Sequence, residues 1–129
     1  MVKDYKHWHK NKNIVEGKQK RVFFHEREIW LCHLGENVGF EEDGRGNEFL
    51  RPVVILRKFN NEIFWAVPLT KTTKKGSYYF VFLFSKEVKS AALLSQLKLI
   101  DAKRLKYKMS VMKEDDFMQL KQRIRQLIA

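Results

Sequence analysis

A chain of 129 residues with 44% hydrophobic and 13% aromatic side chains can build one domain with a real core, and is too apolar to be disordered. No apolar run approaches the roughly 18–20 residues of a membrane span, and the start, Met-Val-Lys-Asp-Tyr-Lys-His-Trp, is no apolar leader. The net charge of +11 draws polyanions (nucleic acid, an acidic protein or anionic lipid) but does no chemistry by itself.

A lone cysteine, Cys32, excludes an internal disulfide and fits a reducing compartment, so the reading is a soluble cytoplasmic domain without membrane attachment. Residues 1–27 form a basic amino-terminal extension. Within it Asp4 can cap a short helix with Trp8 and Val15 on one face, and Gly17 leads into a basic arm, Lys18-Gln19-Lys20-Arg21. His7 and His9 lack further ligands nearby, and His25 and His33 are read as similarly isolated, so no metal site is expected.

Ile29 to His33 reads as a first strand. From Leu34 to Leu50 four glycines interrupt five acids, Glu36, Glu41, Glu42, Asp43 and Glu48. A segment of that length reads as a flap over a site, with an acid able to reach back to Arg51.

Two apolar runs follow, Leu50 to Leu56 and Ala66 to Thr70. They flank Phe59-Asn60-Asn61-Glu62, where asparagine tolerates the positive φ of a tight turn. With Asn60 and Asn61 as a two-residue loop, Arg51 falls opposite Thr70, Cα atoms about 4.5–5.5 Å apart and side chains on one face. Pro52 and Pro68 fall at positions of opposite parity in that ladder. A bulge or an early end to pairing is therefore expected near them.

Lys71-Thr72-Thr73-Lys74-Lys75-Gly76-Ser77 is a basic loop suited to phosphate contacts. Tyr78 to Phe84 is apolar on both faces, which implies burial, a partner subunit, or both. A strand or turn runs from about Ala91 to Ile100, one helical turn covers Asp101 to Leu105, and Lys108 to Val111 returns as a short strand. Glu114 to Ile128 is an amphipathic helix with Phe117, Leu120, Ile124, Leu127 and Ile128 on one face. Asp115 and Asp116 suit its amino-terminal dipole.

Taken together, Glu28-Ile29-Trp30, Gly39-Phe40-Glu41, Arg51-Pro52-Val53-Val54, Val67-Pro68-Leu69-Thr70, Ser95-Gln96-Leu97-Lys98 and Lys103-Arg104-Leu105 resemble the MazF/PemK (Kid-like) family of toxins of type II toxin–antitoxin systems. The resemblance covers about Glu28 to Leu127. It implies a mainly-β fold with α (α+β), a compact SH3-like β-barrel over 28–129 with a carboxy-terminal helix, working as a homodimer. It also implies an endoribonuclease that cuts single-stranded RNA at short motifs without a metal or other cofactor, neutralised by an acidic antitoxin. By motif, the family's catalytic arginine falls on Arg51, its catalytic threonine on Thr70, and the acid of its gating loop on Glu41. Lys71, Thr72, Thr73, Lys74 and Lys75, with Gln96 and Lys98, are the RNA-binding candidates. Two departures stand out: Arg27 replaces the family's usual glycine before the first-strand acid, and the segment between Glu41 and Arg51 is longer than in short members.

RNA carries its own nucleophile, the 2′-hydroxyl. Charge then grows on phosphoryl oxygens, where a planar, permanent cation is effective and a proton carrier of pKa above about 12 is not. Arg51 is accordingly assigned to electrostatic stabilisation, Thr70 to orienting the phosphate, and Glu41 to accepting the 2′-hydroxyl proton. Two rival readings remain at the sequence level. One is a gyrase-inhibiting toxin of the CcdB type, against which every Trp (8, 30 and 65) lies far upstream of the carboxy terminus. The other is a silent SH3-like nucleic-acid or protein-binding module, in which Arg51 is a salt-bridge partner and Thr70 a loop cap.

Overall fold

The computed structural model describes residues 22–35, 49–71, 76–86 and 88–128. These form β1 (Glu28–His33), β2 (Leu50–Lys58), β3 (Ile63–Thr70), β4 (Tyr79–Ser85), β5 (Val88–Leu93), β6 (Lys98–Asp101), β7 (Leu105–Val111) and α1 (Glu114–Ile128). The sheet is antiparallel, in the order β4-β5-β3-β2-β1-β7, with β6 also on β3. The expected mainly-β architecture with a closing helix is present, but the sheet is open: no ladder joins β6 to β7. A 3-10 turn at Ala102–Arg104, capped by the Asp101 side chain, brings those two strands together at one end only. The described helix is too short and too polar to cross a membrane.

Alternation along the strands explains why the middle stretches Val53–Leu56 of β2 and Ala66–Leu69 of β3 are apolar at every position. Val53, Ile55, Phe64 and Ala66 point into the hollow of the curled sheet with Trp30, Cys32 and Phe24. Val54, Leu56, Val67 and Leu69 point the other way, against Phe80, Phe82 and the Phe117, Leu120 and Ile124 face of α1. Both faces are covered there, so neither stretch has a wet side. Phe24, read as part of the basic extension, is fully buried in the hollow. On α1 the buried stripe stops at Ile124. Leu127 and Ile128, expected on it, are 39% and 75% exposed, because the helix outruns the layer beneath it.

The central hairpin departs from its expected turn while keeping its expected register. Val53 pairs with Pro68, Val54 with Val67 and Ile55 with Ala66, but beyond Leu56 the pairing slips to Arg57 with Trp65. Leu56 is the bulge, rather than a residue beside either proline. It absorbs the extra residue of a longer loop, Asn60 to Glu62. Neither asparagine has positive φ. Instead Asn60 Oδ1 accepts the Glu62 and Ile63 N–H groups at 2.7 and 3.0 Å, a side-chain turn.

The stretch read as one element from Ala91 to Ile100 is two strands. β5 ends at Leu93, a 3-10 turn spans Leu94–Gln96, and β6 crosses to β3. β7 is longer than expected, starting at Leu105.

A two-layer cleft where the central strands part

The β2–β3 ladder ends at Val53 and Pro68. Past that point β2 stays with β1, pairing Arg51 with Cys32, while β3 turns to β5, pairing Thr70 with Ala91. Proline has no N–H to extend a ladder, so an early end at this place follows from Pro52 and Pro68. Arg51 and Thr70 are therefore not register partners. They stand on the two arms of a fork, and both line one cleft of about 460 Å³.

The cleft lies between the two layers of the molecule. Leu50 and Pro52 of β2 and Leu69 of β3 line it with Met109, the residue that β7 bulges out beside β1. Phe84, Val88 and Ser90 of the β4–β5 hairpin line it too, and Arg51, Thr70, Lys71 and Ser85 supply the remaining polar groups. Arg51 is exposed, and among the described residues no carboxylate pairs with it. Its guanidinium charge faces solvent and whatever enters.

Gln96 and Lys98 do not line the cleft. Gln96 is exposed on the turn after β5, and Lys98 opens β6 opposite Ala66. Lys98 and Arg104 nevertheless lie close enough to Cys32 to favour its thiolate; burial wins and pushes the thiol up to about 12. Since Cys32 is Arg51's partner across β1, these cations gather at the same end of the sheet. Arg104 also donates to the His33 carbonyl at 3.2 Å and lies against Gly35, where a Cβ would sit 3.3 Å from its Nη1. Glu41 and Thr72 to Lys75 lie outside the described residues, as do Asp4, His7, His9 and the basic arm. Ser85, Ser90, Phe84 and Met109 were not legible as lining residues; the one local signal was a hydroxyl at 90 beside an Ala-Ala-Leu run.

A second polar cluster lies on β1. His25, expected to be isolated, places Nδ1 3.2 Å from Glu28 Oε2 and donates its backbone N–H to Oε1 at 3.0 Å. Trp30 Nε1 donates to Oε1 at 2.9 Å, and Lys108 Nζ approaches Oε2 at 3.4 Å. Burial pushes the Glu28 carboxyl up, but these hydrogen bonds and the Lys108 charge outweigh it and hold the group below its ordinary 4.5. Arg27 precedes it at φ 79°, a left-handed conformation that explains why glycine suits this position. Its side chain compensates: Nε donates to the Met112 carbonyl at 3.1 Å, and Nη1 lies 3.8 Å from Glu114 at the start of α1. Among the described residues no three His, Cys, Asp or Glu side chains are grouped as metal ligands.

Residues 25–128 match the family model described as a PemK-like, MazF-like toxin of type II toxin–antitoxin systems. Among solved structures, the Mycobacterium tuberculosis toxin MazF-mt6 is similar, at 15% identity and TM-score 0.61 over 79% of this chain and 96% of that one. An endoribonuclease in complex with its cognate antitoxin, from a mycobacterial species, gives 12%, 0.62, 80% and 92%. MazF from Deinococcus radiodurans gives 13%, 0.60, 80% and 94%. At these identities the likeness is one of fold. No curated protein sequence matches the chain.

Proposed function

The chain belongs to the PemK-like, MazF-like family of toxins of type II toxin–antitoxin systems, and on that premise we propose that it is a sequence-specific endoribonuclease cutting single-stranded RNA without a metal ion. One observation carries the reading. A permanent cation, Arg51, and a hydroxyl, Thr70, reach the same cleft from strands that have separated, leaving room for a phosphodiester.

The 2′-oxygen attacks the adjacent phosphorus, the bond to the 5′-oxygen breaks, and a 2′,3′-cyclic phosphate and a 5′-hydroxyl result. Arg51 holds the phosphoryl oxygens as their charge grows, an effect worth roughly 3–4 kcal/mol for one well-placed donor. Thr70 orients the phosphate. Glu41 takes the 2′-hydroxyl proton, and the departing 5′-oxygen takes one from solvent water. Lys71 to Lys75, Gln96 and Lys98 track the RNA backbone, so binding weakens steeply with salt.

The +11 charge and the family's antitoxin partnership support an acidic antitoxin that competes for the same groove. A homodimer is supported by β4. Phe80 and Phe82 are buried, while Val81 and Leu83 face out, 39% and 44% exposed. The site of action is the cytoplasm.

Incubating the protein with a long defined RNA in EDTA and sequencing the cut ends tests the reading. Cuts at a recurring short motif, bearing 5′-hydroxyl ends, are expected. Ends carrying a 5′-phosphate, or strict dependence on magnesium, overturn it.

A further inference from the structure

The cleft holds more than phosphate chemistry needs. Ser90 is 6% exposed, and among the described residues its hydroxyl has no hydrogen-bond partner, in a sheet where buried polar groups are normally paired. It lines the cleft together with Phe84 and Met109. An unpaired buried hydroxyl is costly, and the cost is recovered when a ligand supplies the missing partner.

The surroundings specify that ligand. Phe84, Val88, Met109, Pro52 and Leu69 give the cleft an apolar lining, in which an aromatic ring and a thioether offer soft, polarisable contacts to a flat, weakly polar ring. Arg51 and Lys71 bring positive charge to the same space. A volume of about 460 Å³ lies within the range of small-ligand pockets, roughly 300–1,000 Å³. An apolar lining with a hydroxyl and a cation to hand is matched by one nucleotide whose base has left the stack, as single-stranded RNA permits.

Building on the ribonuclease reading, we propose that the cleft takes the base next to the scissile phosphate, and that the Ser90 hydroxyl hydrogen-bonds its edge and sets which base is preferred there. A hydroxyl both donates and accepts, so the identity of the base emerges from the experiment.

Wild type and Ser90→Ala are compared in three ways: sequencing of cut ends from a defined RNA, kcat/KM on short RNAs differing at one position beside the cut, and thermal melting. In Ser90→Ala the preference at one position of the motif is expected to fall about ten- to a hundredfold. The melting midpoint is expected to hold or rise, because no internal hydrogen bond is lost. An unchanged motif with unchanged kcat/KM overturns the base-reading role while leaving the ribonuclease intact. A lowered melting midpoint with an unchanged motif assigns Ser90 to the fold and overturns it too. Wild-type protein inert on every RNA brings down the ribonuclease reading itself, and this inference with it.

Discussion

Glu28 and Ser90 are the two polar side chains buried among the described residues, and the fold treats them in opposite ways. Glu28 is saturated. A backbone N–H, an indole, an imidazole and an ammonium converge on it from the turn before β1, from β1 itself and from β7. Ser90 has no such partner and faces a cleft beside an arginine that no described carboxylate neutralises. Where the chain completes a polar group's bonds, the group holds elements together. Where it leaves them open beside a cleft, as at Ser90, an incoming ligand can complete them.

The largest effect that could break this contrast belongs to Arg51. Arg51→Ala is expected to lower kcat on a fluorogenic RNA by about 10²–10³-fold, while stability stays within about 0.5 kcal/mol. A variant that unfolds instead would place Arg51 with Glu28, as a structural group. The converse holds at Glu28. Glu28→Gln is expected to cost about 1–3 kcal/mol in urea unfolding, because its donors lose a charged acceptor, while the folded protein keeps its kcat/KM. Loss of cleavage at full stability would show that the cluster belongs to the site.

Acid titration sharpens the same point. The folded Glu28 pKa lies below the 4.5 of the unfolded chain. Its stabilisation is therefore complete above that value and disappears as pH falls through the lowered folded pKa. Glu28→Gln should flatten that part of a stability-against-pH curve, measured by denaturant midpoints. Thr70→Val, which keeps the shape and removes the hydroxyl, is expected to slow cleavage roughly tenfold, read as kcat on the same RNA. The smallest effect is at Arg27. Arg27→Gly relieves a left-handed backbone worth about 1 kcal/mol and loses the hydrogen bond to Met112, so calorimetry should find a net change within about 1 kcal/mol.

Much of the hairpin was legible because its signals are local. The apolar runs, the two prolines and the Asn pair were enough for the register at Val53–Pro68 and for an early end to pairing. The role of asparagine was misjudged: a side-chain acceptor and a positive-φ residue look the same in sequence, and here Asn60 acts as the acceptor. The β5–β6 break was hidden because Leu93 to Ile100 is apolar enough to continue as one strand, whereas β3 offers one length of its edge to β5 and another to β6. Helix α1 was legible to the residue at both ends, but the buried length of its stripe depends on how far the sheet extends below it.

Composition and pattern by themselves determined a basic, mainly-β domain with a terminal amphipathic helix, and they picked out Arg51 and Thr70, since strand period and proline chemistry act over a few residues. What only the tertiary structure decided was that these two groups share a cleft with Phe84, Ser90 and Met109. Those side chains come from strands that meet only when the β4–β5 hairpin folds over the β1–β2–β7 face. No local periodicity encodes that approach; it follows from which apolar surfaces remain to be covered once each strand has formed.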